Sequence, residues 1–333
     1  MGLNVDPWLL CGALAVALAI DRLLGEPPSR WHPVVWMGHY LGWIGRAIAP
    51  EATVTATAAA TEPGQPIPRD LPRGVLGALA WCLGAAVVVA LALLLQGWVA
   101  QLPVWAGALL LGLWLKPMLA WRMLRREVLA VEDALAESLA AGRERLSWLV
   151  SRDVTTLTAE QVRESAIESL AENLNDSVVA PVFWFVLLGL PGAVLYRYAN
   201  TADAMWGYRG VYRGRVWEWA GKWAARVDDL LSWLPARLTA ALLLGWRPAI
   251  GGLLCRQARL TPSPNSGWPM VAMALRLGVC LHKPGVYCLN EAAPPPLAHD
   301  TRRAIGFAQQ VVLLSWGWAS LCLLLAWLLG GSR

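Results

Sequence analysis

The sequence predicts an all-α polytopic membrane protein with about four full transmembrane helices and two re-entrant or membrane-embedded helical elements. Three observations carry this prediction. Hydrophobic residues make up 57% of the 333 positions and charged residues only 15%, against roughly a quarter charged in soluble domains. Several apolar runs are long enough for a hydrocarbon core of about 30 Å. Arginines collect in alternate loops, as the positive-inside rule requires. Residues 1–333 therefore read as a single integral membrane domain.

The first run, Trp8 to Leu24, lacks a basic leader and ends in Asp21-Arg22, which marks a retained helix rather than a cleaved signal peptide. Val75 to Ala100, Pro103 to Trp121 and Ile305 to Leu329 are the other expected crossings. The loop between the second and third is short and uncharged, whereas Arg22 to Arg73 and Arg122 to Arg163 bear arginines. That pattern puts both longer loops on the cytoplasmic face and the N-terminus outside. Within the first loop, the Ala/Thr/Pro-rich stretch from Pro50 to Pro72 has no apolar periodicity and reads as a disordered cytoplasmic insertion. The cytoplasmic segment 122–176 holds a helix from about 159 to 176, opened by a capping box of Thr158 and Gln161.

The apolar stretch Val178 to Tyr198 is interrupted by Leu190-Pro191-Gly192 and followed by as many basic residues as precede it. A single crossing would export that basic segment. A hairpin that enters, turns and returns keeps it inside and brings Asp176 and Asp203 to one side. Leu230 to Trp246 contains Pro235 and Arg237 and reads as the second embedded element, with six crossings as the alternative count. The Pro-rich Ala292 to Ala298 is a linker before the last helix.

Composition narrows the function classes. The six cysteines show no C-x-x-C spacing and three lie in apolar runs, so they read as small core residues rather than a zinc site or a disulfide framework. The four histidines form no H-x-x-x-H pair, which removes a zincin-type hydrolase. Of the 28 basic residues all but Lys116, Lys222 and Lys283 are arginine, the residue suited to bidentate recognition of phosphate or carboxylate. No basic block indicates nucleic acid. The 21 tryptophans against 3 phenylalanines fit interfacial anchoring in a lipid bilayer, although a codon bias would act in the same direction. Gly221-Lys222 is followed by Trp223, so no Walker A loop exists.

The polar residues fall in clusters. On the helix near 159–176, Glu168, Glu172 and Asp176 lie within about 80° of one another, with Ser165 and Ser169 in the same sector. Alone they would read as a solvated face. Beside the apolar run that follows, and with Asn173, Asn175, Asn200 and Asp203 adding oxygens, they suit Mg²⁺, which takes one or two protein carboxylates and keeps several waters. Glu168, Glu172, Asp176 and Asp203 are the expected metal set. Glu164, about 120° around from Asp176, is expected to tolerate substitution. Asp228 and Asp229, after Arg226, read either as an interfacial salt-bridge patch or as further metal or ammonium partners. Arg237 interrupts an apolar stretch and needs a partner, either one of those aspartates or a substrate phosphate. Ser263 to Pro269 is a turn whose Asn265 and Gly267 could present backbone donors to phosphate.

Taken together, Ala171-Glu172-Asn173 with Asp176-Ser177-Val178-Val179-Ala180-Pro181, Asn200-Thr201-Ala202-Asp203 with Gly207-Tyr208, Asp228-Asp229-Leu230 with Pro235-Ala236-Arg237-Leu238-Thr239, and Ser263 to Pro269 resemble the cobalamin-biosynthesis CobD/CbiB family. Asp21, Gly25-Glu26-Pro27 and His32-Pro33-Val34 with Gly38 fit the same resemblance, which spans most of the chain. Ser232 stands where the family pattern has asparagine. The resemblance implies adenosylcobinamide-phosphate synthase activity: amide formation between adenosylcobyric acid and aminopropanol or aminopropanol phosphate, with ATP as co-substrate and Mg²⁺, at the cytoplasmic face of the inner membrane. It implies catalytic roles for Glu172, Asp203, Asp228 and Asp229, and substrate-binding roles for His32, Asn173, Asn200, Tyr208, Arg209, Arg226, Arg237, Asn265 and Gly267. Association into a homo-oligomer is left open. Two other classes compete. An ion or proton transporter would place acids within the spans, which hold almost none apart from Asp21, and a non-catalytic AmpE-like signalling protein would keep the spans and lose the polar clusters.

Overall fold

The computed structural model describes residues 6–52, 68–245 and 248–330. Most of the expected Pro50 to Pro72 insertion, residues 53–67, lies outside the described residues. The rest is a helical assembly with two short β-hairpins: α1 (Pro7–Leu23), α2 (Pro33–Ile48), α3 (Leu71–Val99), α4 (Val104–Leu115), α5 (Trp121–Glu137), α6 (Leu139–Leu146), α7 (Ala159–Leu174), α8 (Ala180–Leu188), α9 (Leu190–Trp206), α10 (Lys222–Leu244), α11 (Pro248–Ala258), α12 (Gly267–Leu277) and α13 (Ala298–Gly330). β1 (Val211–Tyr212) pairs antiparallel with β2 (Arg215–Val216), and β3 (Leu281–Lys283) with β4 (Tyr287–Leu289).

Among the described residues three helical stretches are long and apolar enough to cross a membrane: Leu71–Val99, Val104–Glu137 and Ala298–Leu329. The first expected crossing, α1, has 17 residues and stands at the lower limit for spanning. The Pro103 to Trp121 run is not one straight helix. It tightens into a 3-10 turn at Lys116–Met118 and then extends at Leu119, because Pro117 and the buried charge of Lys116 both interrupt it. Lys116 Nζ reaches Asp21 Oδ1 at 3.1 Å and Glu26 Oε1 at 2.6 Å, tying the ends of α1 and α4 together.

α1 and α4 pack closely along small residues. A Cβ on Gly12 would lie 2.8 Å from Ala108 Cβ, and one on Gly107 2.8 Å from Leu9 Cδ1, the small-residue approach common between membrane helices. This packing sets the start of α1 beside the start of α4 and the end of α3. Trp8 also meets Trp327 of α13 edge to face at 5.8 Å. Trp8, Trp98, Trp105 and Trp327 are all exposed at that end and form an aromatic belt. Arg22, Arg73 and Arg122 lie at the opposite ends of their helices.

The chain reverses within the expected hairpin segment: α8 runs into Gly189, whose φ of +70° turns the chain into α9. The reversal sits just before Pro191, which opens α9 as a first-turn proline. Buried Gln96 of α3 fixes the turn by accepting from Leu190 N at 2.7 Å. In α10, Pro235 has no N–H for the carbonyl of Leu231, and Trp184 of α8 donates its indole N–H there instead, at 3.0 Å. α10 is thereby held against the hairpin at its proline.

Candidate functional site

The capping box forms as expected. Thr158 N donates to Gln161 Oε1 at 2.9 Å, and Gln161 N donates to Thr158 Oγ1 at 3.3 Å. The helix it opens is not a peripheral amphipath. α7 packs against α5, α6, α12, α13 and β3, and is buried almost all round from Val162 to Leu174. At Asn175–Val179 it widens into a π-helical turn in which Ala180 N bonds Asn175 O. Pro181 then has no N–H to offer the carbonyls of Asp176 and Ser177. Tertiary partners take them: Ala120 N donates to Ser177 O at 3.0 Å, and Arg197 Nη1 to Asp176 O at 3.5 Å. Such π turns within α-helices recur at functional sites.

The π turn aims Asp176 at the returning helix α9 and at α10. Asp176 Oδ1 accepts from Asn175 Nδ2 at 2.8 Å and from the Tyr196 hydroxyl at 3.2 Å, and Oδ2 accepts from Asn200 Nδ2 at 3.3 Å. The Tyr196 hydroxyl also lies 3.0 Å from Ser232 Oγ. Ser232 is buried and lines the site, so the position that departs from the expected asparagine still presents a polar group to it. Glu172, Asp176, Asp203, Asp228 and Asp229 together line a cavity of about 330 Å³, closed on one side by Pro262 to Ser266. Asp228 Oδ1 is buried without a hydrogen-bond partner.

Crowding five carboxylates into low dielectric disfavours their ionisation. Burial, reinforced by Asp176 and Glu168, pushes Glu172 up to about 7. Burial, then repulsion from Asp229 and Asp176, brings Asp203 to about 6. Burial and the surrounding aspartates drive Asp228 well above the usual carboxylate range. Asp176 is raised by burial against the opposing bonds of Asn175, Tyr196 and Asn200, and Asp229 by burial against the nearby charges of Arg209 and Arg226. At neutral pH the cluster retains protons that a bound cation would displace. Its donors are all oxygen, as Mg²⁺ prefers. No three His, Cys, Asp or Glu side chains among the described residues stand close enough to ligate one ion directly as placed. A fit to Mg²⁺ is therefore one of one or two carboxylates with retained waters, for which Asp228 offers an unpartnered oxygen.

Of the four expected metal ligands the structure brings Glu172, Asp176 and Asp203 to the cavity, and not Glu168. Glu168 is buried and faces Arg152 Nη2 at 3.5 Å and the Tyr287 hydroxyl. Asp228 and Asp229 take the place in the cluster that helix geometry had given it. Glu164 is buried rather than surface-exposed. Burial, with Glu168 and Glu160 adding repulsion, pushes it up to about 7, and its Oε2 lacks a partner.

A second cavity of about 360 Å³ adjoins the first through shared Gly207, Arg209, Ala225 and Asp229, and adds Tyr208, Lys222, Arg226 and Glu218, whose carboxylate accepts from Gly210 N at 3.1 Å. Arg209, Arg226 and Tyr208 are thus at the site, and Asn200 is at its core. The five other expected binding residues have different surroundings, although Asn265 also lines the acidic cavity. Asn173 bonds back to Ser169 O at 2.9 Å within its own helix. His32 caps α2 through Nδ1 and meets Glu26 Oε2 at 3.2 Å, in the chain of charges that includes Lys116 and Asp21. Although burial opposes it, bonds from His32 and Lys116 hold Glu26 below the ordinary carboxylate range. Arg237 forms no ion pair with Asp228 or Asp229. It donates to Asn265 Oδ1 at 2.8 Å, Trp233 O at 2.7 Å and Pro264 O at 3.2 Å, with Trp233 and Trp268 rings 4.4 and 4.5 Å away. The backbone N–H groups of Asn265 and Ser266 are already taken by Ser263 Oγ at 3.2 Å, and Gly267 is needed because a Cβ there would collide with the Ala258 carbonyl. Asn265 Nδ2 donates to Asp229 O at 2.7 Å, so this turn positions the acid cluster.

Residues that sequence reasoning missed include Tyr196 and Arg197, which bond Asp176 from α9, and Lys283 of β3, whose charge partly offsets that of Glu172 and Glu168. Lys283 is one of three lysines in the chain, and that rarity is the only signal that could have singled it out.

No solved structure matches this chain. The family model described as CobD/Cbib protein matches residues 14–312. The cobalamin biosynthesis protein CobD of Chromobacterium violaceum is 42% identical over 325 residues, covering 95% of this chain and 97% of its own. The probable cobalamin biosynthesis protein CobD of Methanothermobacter thermautotrophicus is 41% identical over 290 residues, 84% of this chain and 86% of its own, and that of Pyrococcus abyssi 38% identical over 309 residues, 92% and 93%. With a family model over nearly all its length and relatives this similar, the chain belongs to the CobD/CbiB family of cobalamin biosynthesis proteins.

Proposed function

We propose that this chain is an adenosylcobinamide-phosphate synthase, a carbon–nitrogen ligase that joins a propionate carboxylate of adenosylcobyric acid to the amine of aminopropanol or its phosphate. The observation that carries the reading is the contiguity of the two cavities. One is lined by Glu172, Asp176, Asp203, Asp228 and Asp229, and the other carries Arg209, Lys222 and Arg226. Amide ligation needs both kinds of surface. The substrate carboxylate attacks the γ-phosphorus of ATP and ADP leaves. The amine nitrogen then attacks the acyl carbon, inorganic phosphate leaves, and one proton is lost from the nitrogen.

Arg209, Lys222 and Arg226 neutralise the phosphates and hold them in line. The carboxylates attract the ammonium form of the amine, and one with a raised pKa accepts the proton that frees the nitrogen lone pair before attack; the second proton leaves to solvent as the amide forms. A group titrating near 6 to 7, as burial makes Asp203 and Glu172, is matched to that task at neutral pH. Bound Mg²⁺ would supply charge neutralisation of the phosphates, held by Asp228 with Asp176 or Asp203. The three stretches long and apolar enough to span, with arginines gathered opposite the tryptophan belt, favour the inner membrane with this site on the cytoplasmic side, where ATP is available.

The test incubates purified protein with adenosylcobyric acid, aminopropanol phosphate, ATP and Mg²⁺ and detects the amide by mass. Product that needs both ATP and Mg²⁺ supports the reading, and product formed without ATP overturns the ligase assignment. Labelling single cysteines introduced near 160, 212 and 265 from each side of the membrane tests the orientation, and labelling of position 212 from outside would break it.

A further inference from the structure

A third cavity beside the site, about 450 Å³, is lined by Trp148, Tyr208, Tyr212, Trp217, Arg213 and Ser151, among others, and nothing in the reaction described above uses it. Its position gives it meaning. Tyr208 belongs both to this cavity and to the cationic one, which in turn shares Gly207, Arg209, Ala225 and Asp229 with the acidic cavity. Three adjoining chambers therefore run in the order aromatic, cationic, acidic, each within the size of ordinary ligand pockets, roughly 300 to 1,000 Å³.

We propose that the aromatic chamber is the purine subsite of the nucleotide, so that ATP lies with its base against the Trp148 and Tyr208–Tyr212 walls, its phosphates over Arg209, Lys222 and Arg226, and its γ-phosphate entering the acidic cavity. This inference rests on the ATP-dependent reading above. The walls have the chemistry that a base requires. Tyr208 and Tyr212 stack at 3.5 Å with their rings 12° apart, and Arg213 lies 5.3 Å over Tyr212. Trp148 is 71% exposed and has the Arg145 guanidinium 4.6 Å from its ring. An exposed tryptophan in a concave wall offers a π-face to a planar heterocycle, and hydroxyls of Ser147 and Ser151 stand on the same wall for its polar edge. The β1–β2 turn that carries Tyr212 is held by Arg213 and Gly214, both at positive φ, and by Arg215 bonds to Arg46 O and Ala49 O at 2.8 and 2.6 Å. The wall is thus anchored to α2 rather than free to fold away. The chamber is too small for a corrin macrocycle, but the adenosyl group of the corrinoid shares the purine chemistry. The cationic chamber next door favours the nucleotide.

Equilibrium binding of Mg-ATP and of inorganic triphosphate to the detergent-purified chain, wild type against Trp148→Ala and Tyr212→Ala, tests this, alongside the apparent KM for adenosylcobyric acid. The expected result is a loss of roughly tenfold in ATP affinity for Trp148→Ala, the effect of one lost base–aromatic contact, and a smaller loss for Tyr212→Ala, whose ring faces are covered by Tyr208 and Arg213, with triphosphate affinity within twofold of wild type and the corrinoid KM unchanged. ATP affinity unchanged in both variants, while wild type binds ATP, would overturn the subsite and leave the ligase reading standing. A raised corrinoid KM with unchanged ATP affinity would assign the chamber to the adenosyl group and overturn the nucleotide placement. Equal loss of ATP and triphosphate would show a general collapse of the wall and overturn it as well. Absence of ATP binding to wild type in the presence of both other substrates would overturn this proposal together with the reading beneath it.

Discussion

Asn200 Nδ2 donates to Asp176 Oδ2 at 3.3 Å across 24 positions of sequence. The bond joins the two arms of the α8–α9 hairpin at the depth of the carboxylate cavity. It exists because Gly189 reverses the chain and because the π turn at Asn175–Val179 rotates Asp176 toward α9.

Gly189 is the first position to test. Its φ of +70° and ψ of −156° fall where only glycine is comfortable, at a cost of roughly 1 to 3 kcal/mol for other residues, and a Cβ there would collide with the Gln96 side chain. Gly189→Ala should lower the thermal midpoint in detergent by several degrees and depress activity with it. Gln96→Ala, which only orphans Leu190 N, should do less.

Glu164 gives a pH-dependent prediction away from the cavity. Its folded pKa, about 7, lies above the unfolded value of about 4.3. The protonated form is therefore favoured in the fold, and its contribution is fully present below about pH 4.3 and lost as pH rises through 7. Glu164→Gln imitates the protonated acid. It should raise the thermal midpoint relative to wild type at pH 8, with the gain shrinking toward pH 5. A gain that is constant across that range would contradict the burial argument.

Arg237 is held by neutral oxygens and two tryptophans, not by a carboxylate or a free phosphate pocket. Arg237→Lys keeps the charge and loses the planar fork. It should release the Pro262 to Ser266 turn from α10 and, through Asn265, loosen Asp229. A loss of roughly threefold to tenfold in kcat/KM is expected, with expression near normal, and unchanged kinetics would show that the turn needs no such anchor.

Much of this was legible in the chain. The Thr158–Gln161 capping box, the reversal near Pro191 and the meeting of Asp176 with Asp203 all follow from local chemistry and charge placement. What could not be read were features set by distant partners. The π turn depends on Ala120 N and Arg197 donating to the carbonyls that Pro181 leaves free. Glu168 shares the helical face of Glu172 by angle, yet Arg152 and the β3–β4 hairpin cover it and divert it from the cavity. Arg237 looked like an idle charge needing a counter-ion because a sequence does not reveal that carbonyls and indole faces will surround it. The tie between the ends of α1 and α4, where Lys116 pairs with Asp21 and Glu26, is likewise concealed by the apolar run.

The carboxylate cavity as reaction centre is tested most directly by a matched pair of variants. Glu172 and Glu164 lie on the same helix and both are pushed up to about 7, but only Glu172 opens into the cavity. Single-turnover amide formation at saturating ATP and Mg²⁺ should fall by about 10² or more in Glu172→Gln, the scale of a lost acid–base group, and stay within a few-fold of wild type in Glu164→Gln. Equal rates in the two variants, or wild-type rate in Glu172→Gln, would contradict the assignment of this cavity as the place where the amide is made.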